Sequence, residues 1–412
     1  MKEPTGEWIM DANTLFENIK STNEKYILSM IFKNRNIARI ELSKISKIPM
    51  STLSRITDKL INAGVIVEKE DEEATGRGRK KIFLKINGAL LKAIGIQLGR
   101  DFIKIILMDF NSKIYGEKDV KVSTDPGLKI EEIIDKMAEL LREYGLTPKE
   151  LIGIGIGAPG PLDREKGILL NPIRLKGWEN IDIVRKIKSR FDIRVVLDFA
   201  AHAALAGESY FGEGKDYKDI IYINVSNGIG NASIVNNQLI KQGNYDSIIL
   251  GHMIIELNGK RCDCGRYGCL ELYCGEQAVI DYVNELVAHD AKWRETRGLL
   301  DKTKKLTIGD VIEYAHNGDT YCIQSLSKAA TILGIGLANY INIIQPQLII
   351  LGGRMIERSE LYFDIAVNTV KANMFNNDKL KFVRNKYVDN AIAVGAAAMV
   401  IEDMLADTIT NL

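Results

Sequence analysis

Apolar and polar positions alternate differently in the two parts of the chain. In the first ninety residues they follow short helical repeats. Tyr26, Ile27, Met30 and Ile31 mark the inner face of a helix over Asn23–Asn34. A second short helix is expected over Arg39–Lys47, with Ile40, Leu42 and Ile45 turned inward, and Ile48-Pro49-Met50 breaks it. Ser51 is the expected N-cap of a third helix, Ser51–Ala63, whose buried side carries Leu53, Ile56, Leu60 and Ile61. Gly64 ends it as a left-handed glycine after the helix. Two strands, Val65–Val67 and Lys81–Lys85, then flank an acidic run, Glu68–Glu73, and the tip Thr75-Gly-Arg-Gly-Arg-Lys-Lys81. Two helices joined by a tight turn, a preceding helix and a two-stranded wing make a winged helix-turn-helix.

Beyond residue 90 buried strands alternate with helices. Strands are expected at Ala93–Gly99, Phe102–Asp109, Leu151–Gly160, Arg194–Asp198, Ile220–Val225 and Leu348–Leu351. Helices are expected at Ile130–Tyr144, Asn180–Phe191, Gln277–Ala288 and Ile323–Ile344. This is the pattern of an α/β fold with covered sheets. The uncharged run Ala329–Gly353 contains Asn339, Asn342, Gln345, Pro346 and Gln347, so it reads as a buried helix and strand rather than a membrane span. The N-terminus shows no basic segment leading into an apolar run, and a cytoplasmic protein is expected.

Composition adds one correction to a neutral first impression. The 412 residues carry a net charge of +1, with 26% charged and 46% hydrophobic residues, which excludes disordered and disulfide-framework chains. Residues 1–90, however, hold 16 basic and 12 acidic side chains, and the remainder has a small acidic excess. The basic excess coincides with the winged helix. The outer face of the third helix offers Ser51, Thr52, Ser54, Arg55 and Lys59, short hydroxyls and cations suited to phosphates and base edges. The wing tip offers Arg77, Arg79 and Lys80, suited to a narrow minor groove. A solvated basic loop on a small packing domain is the plainer alternative; strands flanking Gly-Arg-Gly-Arg favour double-stranded DNA.

Cysteines and histidines are few, yet His252, Cys262, Cys264 and Cys269 fall close together in the sequence, which suits a metal site in a reducing compartment rather than a disulfide. Cys274 and Cys322 lie outside the pattern and are expected in the core. Glycine loops at Leu98–Arg100, Ser226–Gly230 and Gly352-Gly353 are each weak candidates for anion cradles.

In their order these motifs resemble the ROK family of repressors and sugar kinases, specifically its winged-helix transcriptional regulators of the xylose-repressor type. The resemblance spans nearly the whole chain. It rests most on Gly251-His252 with Cys262-Asp-Cys264-Gly-Arg-Tyr-Gly-Cys269-Leu-Glu271. Gly155-Ile-Gly-Ala-Pro-Gly160, Lys176-Gly-Trp178-Glu-Asn180 and Leu333-Gly-Ile-Gly-Leu-Ala-Asn339 support it. It implies a two-lobed, actin-like ATPase module behind the winged helix. The expected domains are 1–90 for DNA binding, 91–205 for the first lobe closed by 385–412, and 206–384 for the second lobe with the metal loop. Three thiolates and an imidazole suit a closed, structural Zn²⁺ site at His252, Cys262, Cys264 and Cys269.

The resemblance also shows what kinase chemistry lacks. Where the family's kinases carry a Glu-Asn-Asp-Ala-Asn-type segment, this chain has Asp198-Phe199-Ala200-Ala201-His202, and the general base position is Ala200. The first phosphate loop is Gln97-Leu-Gly99-Arg100-Asp101 in place of Asp-x-Gly-Gly-Thr. Of the family's sugar contacts, the positions here are Phe199, Ala200, Ile249, His252 and Glu271, and only the last two are kept. Trp178, Asn180 and His202 are further candidates for the effector cleft. The expectation is a non-enzymatic regulator, a repressor of carbohydrate-utilisation genes that binds operator DNA as a homodimer or larger assembly and answers to a carbohydrate effector. The competing reading is an ATP-dependent sugar kinase with a DNA-binding head.

Overall fold

The computed structural model describes residues 21–34, 36–70, 80–100, 102–172, 175–240, 250–299, 305–375 and 379–409. Three helices build the head: α1 (Thr22–Asn34), α2 (Arg39–Ser46) and α3 (Met50–Asn62). In α1, Ile27, Met30 and Ile31 are buried as the periodicity requires; Tyr26 is only half-buried, and Leu28 is buried in addition. Helix α2 turns a different face inward from the one expected. Leu42 and Ser46 are buried while Ile40 and Ile45 are 62% and 54% exposed. The buried line runs Ala38, Leu42, Ser46, one residue per turn, and its small ends let the helix sit close to its neighbours. Helix α3 also begins one residue before the expected start. Pro49 occupies the N-cap with φ −55°, a value its ring holds, so Ser51 lies inside the first turn rather than capping it. The buried residues of α3 are Leu53, Ile56, Thr57 and Leu60, and Gly64 follows its end with φ +73°.

The wing is the antiparallel pair β1 (Ile66–Glu70) and β2 (Ile82–Ile86), with Ile66 opposite Ile86 and Glu70 opposite Ile82. Ile37 bridges to Leu84, which ties the wing to the segment before α2. Arg77 and Arg79 lie outside the described residues. A 3₁₀ turn at Gly88–Leu90 leads into the next strand, and Phe110 donates its backbone N–H to Gly88 O and Leu91 O. Phe32 of α1 stacks on Phe110 at 5.4 Å between ring centres.

Along the remaining chain the elements run β3 (Lys92–Leu98), β4 (Phe102–Asp109), β5 (Ile114–Lys121), α4 (Pro126–Glu143), β6 (Leu151–Ala158), β7 (Leu162–Asp163), β8 (Ile168–Leu169), β9 (Ile181–Asp182), α5 (Ile183–Phe191), β10 (Val195–Phe199) and α6 (Ala200–Phe211). The larger sheet here has the order β10-β6-β3-β4-β5. Asp125 caps α4 and Asp182 caps α5, each accepting a backbone N–H three residues on. Next come β11 (Ile220–Val225), β12 (Ile229–Val235), β13 (Gln238–Leu239), α7 (Glu271–Cys274), α8 (Glu276–Leu286), α9 (Ala291–Thr296), α10 (Ile308–His316), α11 (Thr320–Ile344), β14 (Leu348–Gly352), α12 (Arg354–Arg358), α13 (Glu360–Asn373), β15 (Lys381–Arg384) and α14 (Ala391–Ile409). The second sheet has the order β13-β12-β11-β14-β15, with β11 and β15 parallel to β14 and β12 antiparallel to β11. Ser226–Gly228 is therefore the turn of a hairpin, closed by Ser226 N–H donating to Gly228 O at 3.1 Å.

Internal packing divides the chain into two compact units, Met1–Ile156 with Asp182–Leu197 and Ala396–Leu412, and Gly157–Ile181 with Asp198–Gly395. The first holds the head together with the strands that follow it. Helix α11 ends at Ile344 before β14, as the polar residues in the uncharged run require. Among the described residues no helix is long and apolar enough to cross a membrane.

Candidate functional site

Two chain segments meet at the cysteine cluster. His252 ends a 3₁₀ turn, Leu250–His252, which is held to β12 by Leu250 N–H donating to Asn231 Oδ1 at 3.0 Å. The three cysteines lie on a loop that folds back on itself. Cys262 N–H donates to Arg266 O, and Gly265 N–H donates to Cys262 O. Gly268 N–H donates to Lys260 O, Ile255 N–H to Gly268 O, and Ile254 bridges to Cys269. At Gly268 (φ +73°) a Cβ would lie 1.8 Å from Glu256 O, so only glycine permits this approach.

The loop brings one donor atom from each of His252, Cys262, Cys264 and Cys269 within 4.8 Å of all the others. Cys264 Sγ lies 3.7 Å from Cys269 Sγ, and Cys262 Sγ lies 3.5 Å from His252 Nδ1. For metal–sulfur bonds of about 2.3 Å and metal–nitrogen bonds of about 2.0–2.1 Å, the edges of a tetrahedron are about 3.8 Å and about 3.5 Å. The donor set thus fits a four-coordinate cation. Burial pushes the Cys262 thiol up to about 12 and raises Cys269 as well. Burial also acts upward on Cys264, but hydrogen bonds from Arg266 N–H and the neighbouring thiols bring it below the ordinary value. Three thiols this close do not ionise together without a cation between them. Cys274 and Cys322 lie in the core, Cys274 donating its S–H to Leu270 O at 3.2 Å.

Glu271, the first residue of α7, is buried against the same cluster. Its Oε1 is 3.7 Å from Cys262 Sγ and 3.9 Å from His252 Nδ1. Its Oε2 points to the backbone of Gly228 and Gly251, where added Cβ atoms would lie 3.2 and 3.4 Å away. The nitrogen of His252 facing the thiols is Nδ1, which leaves Nε2 for a second partner.

The other effector candidates are arranged differently. His202 and Asp198 form a buried pair at the start of α6, with His202 Nδ1 at 2.8 Å from Asp198 Oδ1. The same carboxylate accepts Phe199 N–H at 2.7 Å, and Arg164 Nη1 approaches its other oxygen at 3.6 Å. Burial works to raise the Asp198 pKa, but the hydrogen bond and charge of His202 and the charge of Arg164 prevail and hold it below the ordinary carboxylate value. Phe199 packs edge-on to His202 at 5.2 Å between ring centres and lines Gly160. Ala200 opens α6 with no polar side chain. Sequence reading missed Arg164: it stands far from Asp198 along the chain, and only the fold brings them together.

Trp178 was expected at a cleft mouth, yet it is fully buried. Its large apolar ring gains more from the core than from a solvent-facing wall. Asn180 is exposed, with φ +55° and its backbone N–H on Leu170 O at 2.8 Å. Ile249 and Asp101 lie outside the described residues.

On the head, Ser51 and Arg55 are exposed and Thr52 and Ser54 half-buried along α3. Lys80 is exposed just ahead of the second wing strand. Lys59 is engaged elsewhere: its Nζ lies 2.7 Å from Glu24 Oε1 on α1. Arg39 of α2 similarly clamps Asp58 at 2.8 Å and Glu68 at 3.0 Å, joining α2, α3 and the wing.

Comparison with known proteins agrees with this architecture. The model of the ROK family matches residues 93–403. The chain is 31% identical to the xylose repressor of Caldicellulosiruptor bescii over 94% of its own length and 97% of that protein's. It is 31% identical to the xylose repressor of Bacillus subtilis, over 95% and 98% of the two chains. With the DNA-binding transcriptional dual regulator NagC of Escherichia coli it shares 28% identity over 94% of each. Among solved structures, a ROK family transcriptional regulator described as a homolog of the E. coli MLC protein superposes with a TM-score of 0.74 at 24% identity, covering 97% of this chain and all of that one. A ROK family glucokinase from Streptomyces griseus, solved with glucose and AMPPNP, has a TM-score of 0.65 at 24% identity and covers 76% of this chain and 99% of its own. The chain is a member of the ROK family, with a winged helix ahead of the two-lobed α/β module.

Proposed function

We propose that the chain is a sugar-responsive transcriptional repressor that binds double-stranded DNA through its head. The observation that carries this reading is coverage. The named repressors align over 94–95% of the chain, head included, whereas the glucokinase covers 76%. In this reading residues 1–90 form the DNA-binding part, 91–205 with 385–412 one lobe, and 206–384 the other. Ser51, Thr52, Ser54 and Arg55 meet the major groove, and Lys80 with Arg77 and Arg79 serves the wing. A homodimer presents two such heads to a palindromic operator. The protein works in the cytoplasm on genes of carbohydrate use.

The metal is a structural Zn²⁺ held by His252, Cys262, Cys264 and Cys269, because four protein ligands leave no open position for water attack. It fixes the loop that carries Glu271. Glu271 and His252 Nε2 are the polar groups offered to a sugar hydroxyl. Phe199 and Ala200 offer none, and the buried Asp198–His202 pair is a packing element. The names of the relatives make xylose and other pentoses the first effectors to test. An effector acts by binding one DNA-binding state of the protein better than the other.

The fold shared with a glucokinase favours a second reading, ATP-dependent sugar phosphorylation. Ala200 speaks against it, since a methyl group accepts no proton from a sugar hydroxyl. Incubation of the purified protein with Mg²⁺-ATP and a panel of pentoses and hexoses decides the matter. The expected result is no phosphorylated sugar; Mg²⁺-dependent turnover would overturn the repressor-only reading.

A further inference from the structure

Lys47 stands where the backbone favours a glycine. It follows α2 as its C-cap with φ 58° and ψ 18°, the left-handed region that a Cβ disfavours. Gly64, one residue beyond the Ala63 C-cap of α3, adopts a similar φ without a side chain. The turn around Lys47 is held by its neighbours: Ser43 Oγ donates to Ile48 O at 2.7 Å, and Ile48 N–H donates to Ser46 Oγ at 3.3 Å. Neither bond needs a lysine. A residue kept in a costly backbone conformation for its side chain points to work for that side chain.

The charges of the head separate in the same sense. Arg39, Lys59 and Lys81 are each neutralised by carboxylates of the head, Asp58 and Glu68, Glu24, and Glu41 respectively. Lys44 and Lys47 are exposed, and neither makes an ion pair among the described residues. They lie at the end of α2 and in the turn just ahead of α3, the part of a helix-turn-helix that passes the sugar-phosphate strand when the second helix enters the groove. We propose that Lys47, supported by Lys44, grips a backbone phosphate of double-stranded DNA, and that Lys59, on the outer face of α3, does not. This rests on the DNA-binding reading above. It concerns affinity and register rather than base choice.

Binding of the full-length protein to a mixed-sequence DNA duplex, measured across a salt series, tests it. Lys47→Gly and Lys47→Asn both accept the left-handed backbone, so the head stays folded, which a melting curve verifies. Each variant is expected to bind more weakly at a given salt, with a slope of log affinity on log salt smaller in magnitude by about one for each phosphate no longer neutralised. Lys59→Ala is expected to keep the wild-type slope. If the wild type binds and both Lys47 variants match it in affinity and slope, or if Lys59→Ala loses slope as they do, the assignment is overturned. If the wild type itself binds no duplex, the DNA-binding reading falls and this assignment falls with it.

Discussion

His202 Nδ1 lies 2.8 Å from Asp198 Oδ1, one helical turn apart across the start of α6 and shut away from solvent. The pair flanks Phe199 and Ala200, neither of which carries a polar side chain. Removing His202 takes the closest charged partner from a buried carboxylate and leaves it only Phe199 N–H and the more distant Arg164. His202→Ala is therefore expected to cost about 3 kcal/mol, read from the denaturant midpoint at unchanged slope. The double variant Asp198→Asn/His202→Ala is expected to cost less than the sum of the single changes.

The same carboxylate sets a pH dependence. Its folded pKa is depressed by His202 and Arg164 against the upward pull of burial, so the native state holds fewer protons than the unfolded chain. The stabilisation is complete above the unfolded value of about 3.9 and is lost as pH falls through the folded value. Asp198→Asn is expected to flatten the acid side of the stability curve below about pH 4, measured by unfolding midpoints at stepped pH.

About one zinc per chain is expected from elemental analysis of the purified protein. Cys264→Ser and His252→Ala should bring the content toward zero and lower the melting temperature. Cys274→Ala, in the core beside the loop, should leave it unchanged. Full metal content in Cys264→Ser would remove that residue from the ligand set.

Arg39 and Arg55 separate bracing from reading. Arg39 is held by two carboxylates, so Arg39→Ala is expected to cost about 1 kcal/mol of stability, in keeping with a partly exposed pair. Arg55→Ala is expected to leave the melting temperature in place and to weaken operator binding by about 1–3 kcal/mol. Equal operator affinity in wild type and Arg55→Ala would take Arg55 out of the reading surface.

A sugar that binds the native state raises its apparent stability. Thermal-shift screening with pentoses and hexoses is expected to find such a ligand, and Glu271→Gln is expected to abolish the shift while keeping zinc. A shift that survives in Glu271→Gln would place the effector elsewhere.

The Cys/His cluster was legible along the chain because its donor residues are close in sequence and its glycines fall where the backbone must turn. The three helices of the head, the wing strands and most strands of the module were legible from apolar spacing. The inward face of α2 was not. Two isoleucines suggested a buried stripe, but the packing surface runs through Ala38, Leu42 and Ser46, where small side chains allow close approach. That Ser226–Gly230 is a hairpin turn and the start of a strand was not legible either; it follows from the pairing of β11 with β12.

Sequence alone determined the composition of the site: a Cys/His cluster, a basic head and, by the family resemblance, an alanine at the position of the kinases' general base. These follow from residue identity and short spacing, which folding does not alter. Tertiary structure decided which charges are available. It tied Lys59 to Glu24 and Arg39 to Asp58 and Glu68, gathered Arg164 to the Asp198–His202 pair, buried Trp178 and left Lys47 exposed in a left-handed turn. An ion pair depends on distance between residues far apart in sequence, and only the folded backbone sets that distance.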